Sequence, residues 1–506
     1  MNLSKSKKLV LSLLILLFLW FAYPVARVGF FYLSDPIPND RVMLVNPRTI
    51  DDASGKNQTR HGGIIRLPQD INQSIFLLKE TFAKAKKEGK NIIPFGARHS
   101  MGKQSLKENA FHIDLKNLCG IRIEAGLVRV ESGARWKEVL KFLAPKGLTI
   151  EIMQSNADFS IGGTLSVNAH GWQPDRPPIS SSVEKIRMLT ANGEVKICSR
   201  TENQMIFQNL LGGYGLMGIL LEAWIRPIEN EILRSSHQLV SPSQFLHQWQ
   251  KLKSNDVRLA FGRISLAPNS FFEKILLVSY ESTKEVSHAP MQINSGFRTS
   301  LSRAIFRASL GSSRGKTFRD WIENLAGGEA GGTHARANLL IEPVRIFANS
   351  QKGKTDMLLE IFIPQEKLSG FIPKAASLLR DSSEELLNVT LREITKDTDT
   401  ALPYAKENVF GLVMLFTLDN QVQTEKRFGD LCRKLIEIAL LDGGTFYLPY
   451  RNYATASQLH RSYPELESFF QAKKILDPQT LFSSGFFDYL QESRKDLYSN
   501  NNTENL

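Results

Sequence analysis

Two glycine-centred loops, roughly sixty residues apart, constrain this chain more than any other feature. The first runs Pro94-Phe95-Gly96-Ala97-Arg98-His99-Ser100-Met101-Gly102 and leaves a short apolar stretch, Asn91 to Phe95, that predicts a strand. Gly96 and Gly102 permit positive φ, which lets consecutive backbone N–H groups turn into one concavity and meet an anion. Arg98 adds charge there and Ser100 a hydroxyl donor. The second loop, Ser155 to Gly171, repeats the recipe in Ser160-Ile161-Gly162-Gly163-Thr164 and Asn168-Ala169-His170-Gly171. A single Gly/Ser loop carries little information. Two within one strand–helix unit describe a cradle for one large anionic ligand.

A third cluster, Gly213-Tyr214-Gly215-Leu216-Met217-Gly218, matches the G-x-G-x-x-G dinucleotide pattern letter for letter. That pattern works only when a strand precedes it and a helix follows, so that the helix start meets a pyrophosphate. Here Thr201 to Leu211 is helical in composition, and Ile219 to Ile225 is a β-rich run before Pro227. The order is reversed, and the nicotinamide reading fails. These glycines instead let backbone pass close to something flat or bulky.

Around the loops the hydrophobic pattern alternates between helix and strand. Ile75, Leu78, Phe82 and Ala85 share one face of a helix predicted over 71–90. Strands are predicted at 111–115, 122–124 and 127–131, and a helix over 136–146 that Gly147 ends. A hairpin joins 183–189 to 195–199 across Asn192-Gly193, a strong turn signal. Beyond Ile228 the pattern blurs into a larger mixed region, with strands near 274–280, 338–347 and 409–418. The fold class is α+β, in a chain too long for one ordinary domain. A linker is expected over 34–56, a ligand-binding lobe over 57–231 and a mixed α/β second lobe over 232–459. A closing segment, 460–490, is expected to pack back on the first lobe, and an Asn- and Ser-rich tail, 491–506, to be disordered.

Composition removes several classes. With 42% hydrophobic and 23% charged residues the chain is globular rather than disordered or fibrous. Its net charge of +12 is spread along the whole length, without zinc-ligand spacing or an Arg/aromatic repeat, so no nucleic-acid partner is expected. Three scattered cysteines, Cys119, Cys198 and Cys432, make neither a disulfide scaffold nor a metal site. The N-terminus does point to a membrane. Lys5, Lys7 and Lys8 precede an apolar run, Leu9 to Ala26, long enough to span most of a bilayer core. The run is long for a cleaved signal and no small-x-small site follows, so residues 1–33 are read as a retained single-pass anchor. Arg27, Arg41 and Arg48 beyond it nearly balance the lysines before it, which leaves the side of the membrane open. A basic amphipathic stretch over 297–321 reads either as a solvated helix or lid, or as a surface for anionic lipid.

From about Asn57 to Ile228 the chain resembles the FAD-binding domain of the vanillyl-alcohol oxidase/PCMH-type flavoproteins. In that family a G-x-x-H-S loop holds the FAD pyrophosphate, and its histidine often carries the flavin covalently. Gly96 to Ser100 match that loop, and His99 falls on the flavinylated position. Ser160 to Thr164 with His170-Gly171 match the family's second segment, and Gly212 to Ile219 its third. Tyr463-Pro464 and the stretch from Lys473 to Phe482 resemble the closing helix and turn of aldonolactone and alditol oxidases. The resemblance implies FAD as cofactor, contacted by Gly96, Ala97, Arg98, His99, Ser100, Ser155, Ser160, Gly162, Gly163, Thr164, His170, Gly171, Gly218 and Ile219. His99 either bonds the flavin or only hydrogen-bonds it, and no metal is implied.

The substrate side is less regular. Strand periodicity puts Thr390, Arg392 and Ile394 on one face and Glu393 on the other. Arg392 matches an arginine that alditol oxidases offer to substrate, whereas Thr390 stands where they carry glutamate. The alternative for Arg392 is a surface ion pair with Glu393 or Asp397. In Tyr447-Leu448-Pro449-Tyr450-Arg451-Asn452-Tyr453, Arg451 fits the first arginine of a lactone-oxidase segment, and Tyr453 replaces its histidine. The catalytic candidates are therefore Arg392, Arg451 and Tyr453. The resemblance implies a membrane-anchored FAD-dependent oxidoreductase that oxidises a CH–OH group of a small hydroxylated substrate, an aldonolactone or sugar alcohol. Hydride passes to flavin N5, and oxygen or a quinone or cytochrome is the final acceptor. Two alternatives stand beside it: a flavin dehydrogenase or reductase acting on a lipid-linked sugar or sterol-like substrate, and a flavin-binding electron-transfer subunit without turnover of its own.

Overall fold

The computed structural model describes residues 22–37, 47–291, 296–326 and 331–503. Most of the expected anchor, up to Phe21, lies outside them. Among the described residues no helix is long and apolar enough to cross a membrane. Described residues 22–34, at the end of the stretch expected to be an anchor, are helical (α1).

Two of the sheets in the first lobe position the site. In the smaller, Gly63–Arg66 and β1 (Ile92–Phe95) flank Phe111–Asp114, all parallel. A five-stranded antiparallel sheet holds β2 (Leu127–Glu131) next to Ile219–Ile225. Helix Ile71–Glu88 buries the predicted face of Ile75, Leu78, Phe82 and Ala85. Asp70 caps its start by accepting from the Asn72 and Gln73 amides, and Gly89 ends it in the left-handed region. The hairpin of Val183–Leu189 with Val195–Ser199 turns at Gly193, φ +80°. Against β2 and Ile219–Ile225 packs a short helix, α2 (Ile161–Ser166), which carries the second glycine loop.

The second lobe is built on an eight-stranded antiparallel sheet. Its centre is β3 (Val257–Ile264), β4 (Ile275–Val286), β5 (Lys354–Pro364), β6 (Glu385–Ile394) and β7 (Val409–Asp419), in the spatial order β4-β3-β6-β7-β5. One face packs against helices Pro242–Lys253, Leu368–Arg380 and Val422–Leu441 through Phe245, Trp249, Phe371, Phe410 and Leu435. From the other face Phe261, Val278, Phe362 and Ile394 join Trp172, Tyr214 and Ile225 of the first lobe in one core. The two lobes thus share a core, and the sheet presents one face directly to the second glycine loop.

Three expectations are corrected. The stretch 338–347 is not a strand: Arg336–Leu340 is helical and Val344–Ile346 forms a 3-10 turn, because Pro343 interrupts the run and removes a ladder donor. The tail is not disordered up to Thr503. Phe486, Phe487 and Leu490 are buried and start a helix, Gly485–Thr503, that carries the polar residues after them. The basic stretch is not a wholly solvated helix. It forms a hairpin of α3 (Phe297–Ala308) and α4 (Ser313–Ala326), and Arg303, Arg307 and Arg319 are buried. Arg303 meets Asp35, Arg307 meets Asp356, and Arg319 donates to the Leu387 carbonyl.

At the far end of the chain, the Ile92 amide donates to the Leu481 carbonyl at 2.7 Å, and Ile92 bridges Phe482. The closing segment therefore borders β1, directly behind the first glycine loop.

Candidate functional site

The first loop leaves β1 at Phe95. Its left-handed residues are Arg98 (φ +54°) and Lys103 (φ +61°), not Gly96 or Gly102. Those glycines serve close approach instead. A Cβ on Gly96 would stand 2.0 Å from Ser160 Oγ, and one on Gly102 would stand 2.3 Å from the Tyr450 carbonyl oxygen. The two loops therefore touch at Gly96 and Ser160. Ser160 Oγ accepts from the Gly163 amide that opens α2, and from the Ala97 amide, both at 3.4 Å. Thr164 Oγ1 accepts from Trp136 Nε1 at 2.9 Å, which pins α2 to the first-lobe core. Gly162 lies against Ser132, and Gly171 against Gln173 and the Met153 carbonyl.

His99 is half-buried between the loops, its ring 4.3 Å from that of Phe159. Burial lowers its pKa to about 4, with Asp158 opposing the shift, so the imidazole is neutral at physiological pH. Ser100 accepts through its carbonyl from the Ala53 amide. Arg98 is buried, donates to the Asp51 carbonyl at 3.1 Å and packs over Phe95. Burial lowers its pKa, and Asp114 and Asp51 counter this. Ser155 is half-buried between Gln154 and Asn156 in the second loop. The third cluster behaves as read: helix Gln204–Leu210 precedes it and strand Ile219–Ile225 follows. Gly218 (φ +149°) presses on Met188 and the Leu189 carbonyl, Ile219 pairs with Leu189, and Gly215 abuts Pro94. Gly218 and Ile219 thus have protein as their immediate neighbours.

Facing the second loop is a cluster on the sheet. His170 is buried; its Nδ1 lies 3.0 Å from the Gly171 carbonyl and its Nε2 contacts Glu360 Oε1 on β5. The carbonyl can only accept, so Nδ1 carries a proton, and one further proton is shared between Nε2 and Oε1. Glu360 Oε2 accepts from the Tyr450 hydroxyl at 3.3 Å. Around the pair stand Phe362, Tyr404 and Tyr447, with rings 5.6 to 6.0 Å from that of His170. Burial holds the pKa of Tyr404, Tyr447 and Tyr450 well above the ordinary phenol value, so all three remain donors.

Arg392 belongs to this cluster. The register sets Arg392 and Phe362 opposite Gly411, and Thr390 and Glu360 opposite Val413, so all four share one face. Arg392 makes no hydrogen bond or ion pair with a described residue. Burial lowers its pKa while Glu360 raises it. Neither alternative partner is available: Glu393 binds Lys253 and Gln365 on the opposite face, and Asp397 accepts from Asn168. Gly411 leaves the gap between Arg392 and Phe362 open, since a Cβ there would stand 3.1 Å from Phe362 and 3.2 Å from Glu360.

Arg451 and Tyr453 are placed elsewhere. Both bind Glu425, which also pairs with Lys56 at 3.1 Å, and Arg451 donates to Asn57 Oδ1 at 2.6 Å. Their segment contributes Tyr450 to the cluster rather than the two residues singled out. Its main chain also grips the first loop: the Met101 amide donates to the Pro449 carbonyl at 2.8 Å, and Gln104 Nε2 to that of Leu448 at 2.7 Å. Glu360 escaped the sequence reading, although a signal existed. It is the single charge within Met357-Leu358-Leu359-Glu360-Ile361-Phe362-Ile363, and a charge in an apolar strand needs a partner.

The lining has capacity for a polar ligand. Ser132 Oγ beside Gly162, Gln154 Oε1 and Trp172 Nε1 are buried and have no partner among the described residues. Leaving such atoms unpaired costs about 1–3 kcal/mol each, so hydroxyl, amide and indole groups around the second loop suit a ligand rich in hydrogen-bonding atoms.

Residues 73–199 match a family model described as an FAD binding domain. The match takes in both glycine loops, and the cofactor is FAD. Among curated proteins, the D-arabinono-1,4-lactone oxidase of Saccharomyces cerevisiae is 23% identical over 250 residues, 48% of this chain and 45% of the relative. That of Yarrowia lipolytica is 26% identical over 186 residues, 35% of each chain. The alignments therefore span less than half the length of these relatives. The decaprenylphosphoryl-beta-D-ribose oxidase of Mycolicibacterium smegmatis is 22% identical over 447 residues, 80% of this chain and 90% of the relative.

Proposed function

We propose that this chain, with its FAD-binding domain, is a membrane-anchored oxidoreductase that oxidises a CH–OH group of a small hydroxylated substrate, an aldonolactone or sugar alcohol. The observation that carries the reading is the Glu360 carboxylate, held between His170 and Tyr450 on the face that also presents Arg392. FAD, when bound, supplies a two-electron hydride acceptor. The two glycine loops, with His99, Ser100, Ser160 and Thr164, hold it, and His99 is the candidate for a covalent bond to it.

Removing hydride from a carbinol carbon requires removing the hydroxyl proton as well. Glu360 accepts that proton, through the oxygen that Tyr450 also reaches. His170 orients the carboxylate through its Nε2 contact with Oε1. Arg392, paired with no acid among the described residues, binds the substrate oxygen and offsets its negative charge as the proton leaves. The Phe362, Tyr404 and Tyr447 rings exclude water around the pair. The electron acceptor is oxygen or a quinone or cytochrome.

A second reading, a flavin dehydrogenase acting on a lipid-linked sugar, is favoured by one observation: the mycobacterial relative matches along most of both chains. Anaerobic titration of the holoprotein with lactones, polyols and lipid-linked sugars tests both. One class is expected to bleach the flavin, and Arg392→Ala to abolish bleaching while FAD is retained. A wild type that none of them bleaches would leave only the electron-transfer subunit. For the covalent bond, yellow colour should survive acid precipitation of the wild type and be lost in His99→Ala.

A further inference from the structure

Helix α1 has one face fastened and one face bare. On the fastened side Phe31 is buried with Ala304, Phe306 and Leu310. Arg27 donates to the Ala308 carbonyl at 2.8 Å and also to that of Leu310. At the end of α1, Asp35 is buried and receives the Arg303 guanidinium at 2.6 Å. These contacts fix how α1 is rotated against the α3–α4 hairpin.

On the bare side Ala26, Phe30 and Leu33 follow one another at helical spacing and form a single stripe, with Tyr23 at its edge beside Ser312 and Arg27. Phe30 is 61% exposed and Leu33 81%. Phe297 at the start of α3, 67% exposed, extends the patch through Tyr32, whose ring lies 6.0 Å away. Two arginines border it. Arg314 lies over the Tyr23 ring at 5.7 Å, and Arg298 follows Phe297. Both are exposed, and neither has an ion-pair partner among the described residues. An apolar stripe with free cations at its margin is the pattern of a helix that lies in a lipid interface.

We propose that the bare face of α1, together with Phe297, Arg298 and Arg314, rests on an anionic bilayer surface. This rests on the reading of residues 1–33 as a membrane anchor. Two observations choose lipid as the occupant. The apolar sequence Leu9 to Phe21 directly precedes α1, whose first described residues include Tyr23 beside Arg314 at the edge of this patch. Arg298 and Arg314 at its margin are positive and have no ion-pair partner among the described residues, which makes them complementary to phosphate headgroups. The clamp on the other face then holds the second lobe at a fixed height above the lipid.

The test uses the full chain in vesicles of phosphatidylcholine and phosphatidylglycerol, with Cys119→Ser throughout because Cys119 is the exposed cysteine. An environment-sensitive dye is placed on Leu33→Cys in one sample and on Val422→Cys, 89% exposed in the wild type, in another. The dye at 33 is expected to be several-fold less quenched by iodide than the dye at 422, and to be quenched by brominated lipid. Vesicle-bound protein in which both positions meet iodide equally would overturn the inference while leaving the anchor in place. Protein that stays in the supernatant would overturn both. Shielding at 33 that persists in detergent and ignores brominated lipid would mean a second copy covers the stripe, and would also overturn it.

Discussion

Gly96→Ala probes the junction of the two loops. The new methyl would stand 2.0 Å from Ser160 Oγ and 2.8 Å from Ser160 Cβ, far inside contact distance. Both atoms belong to a side chain that caps α2, so the loops must part or Ser160 must release the Gly163 amide. Overpacking of this kind costs about 1–3 kcal/mol. Ser160→Gly removes both clashing atoms, and glycine substitutes for a serine cap at a cost of only about a few tenths of a kcal/mol. The double variant should therefore be nearly as stable as Ser160→Gly alone, with a coupling energy of about 1–3 kcal/mol between the sites. Urea unfolding of the four proteins measures this, and the flavin content of each purified protein reports the cradle. Gly96→Ala alone should lose stability and flavin together, and the double variant should match Ser160→Gly alone in both. Strictly additive losses would refute the loop contact.

Glu360→Gln keeps the size of the side chain but removes the proton acceptor; substrate-driven flavin reduction should slow by about 10²–10⁴ in anaerobic stopped-flow, with flavin content unchanged. Gly411→Val fills the gap between Arg392 and Phe362, so bleaching should be lost while circular dichroism stays native and stability falls by about 1–3 kcal/mol. Acid should expose the buried imidazoles. His99 and His112 have pKa values lowered by burial from 6.5 to about 4, so the unfolded chain binds protons that the native one refuses as pH falls through that window. Stability is then unaffected above pH 6.5 and declines towards pH 4, by up to about 3 kcal/mol for each histidine. His112→Gln should flatten the decline in a urea series across pH, and an unchanged slope would count against the assignment.

Much of the first lobe was legible in the sequence because its signals are local. Asp70 and Gly89 bracket a helix whose apolar face repeats, and Asn192-Gly193 marks a hairpin. The false dinucleotide pattern was recognisable from the order of its flanking elements. The reason for Gly96 and Gly102 was not legible, since their neighbours, Ser160 and Tyr450, are remote in sequence and only the fold brings them close. The same holds for the site. Arg392 was readable from strand period, and His170 from its loop. Glu360 acquires meaning only when two antiparallel ladders align β5, β7 and β6. The basic stretch misled because composition does not distinguish an arginine facing water from one that reaches a buried Asp35 or Asp356.

The first glycine loop is held from behind by Leu481 to Ser483 and from above by Leu448 and Pro449, all supplied by the last seventh of the polypeptide. During synthesis, the nucleotide-gripping turn thus emerges hundreds of residues before the segments that brace it. A ribosome-bound chain that ends before residue 440 has both glycine loops and no brace for the first. Cofactor loading is accordingly a late event, and truncations near the C-terminus should yield colourless protein even though they leave both loops untouched.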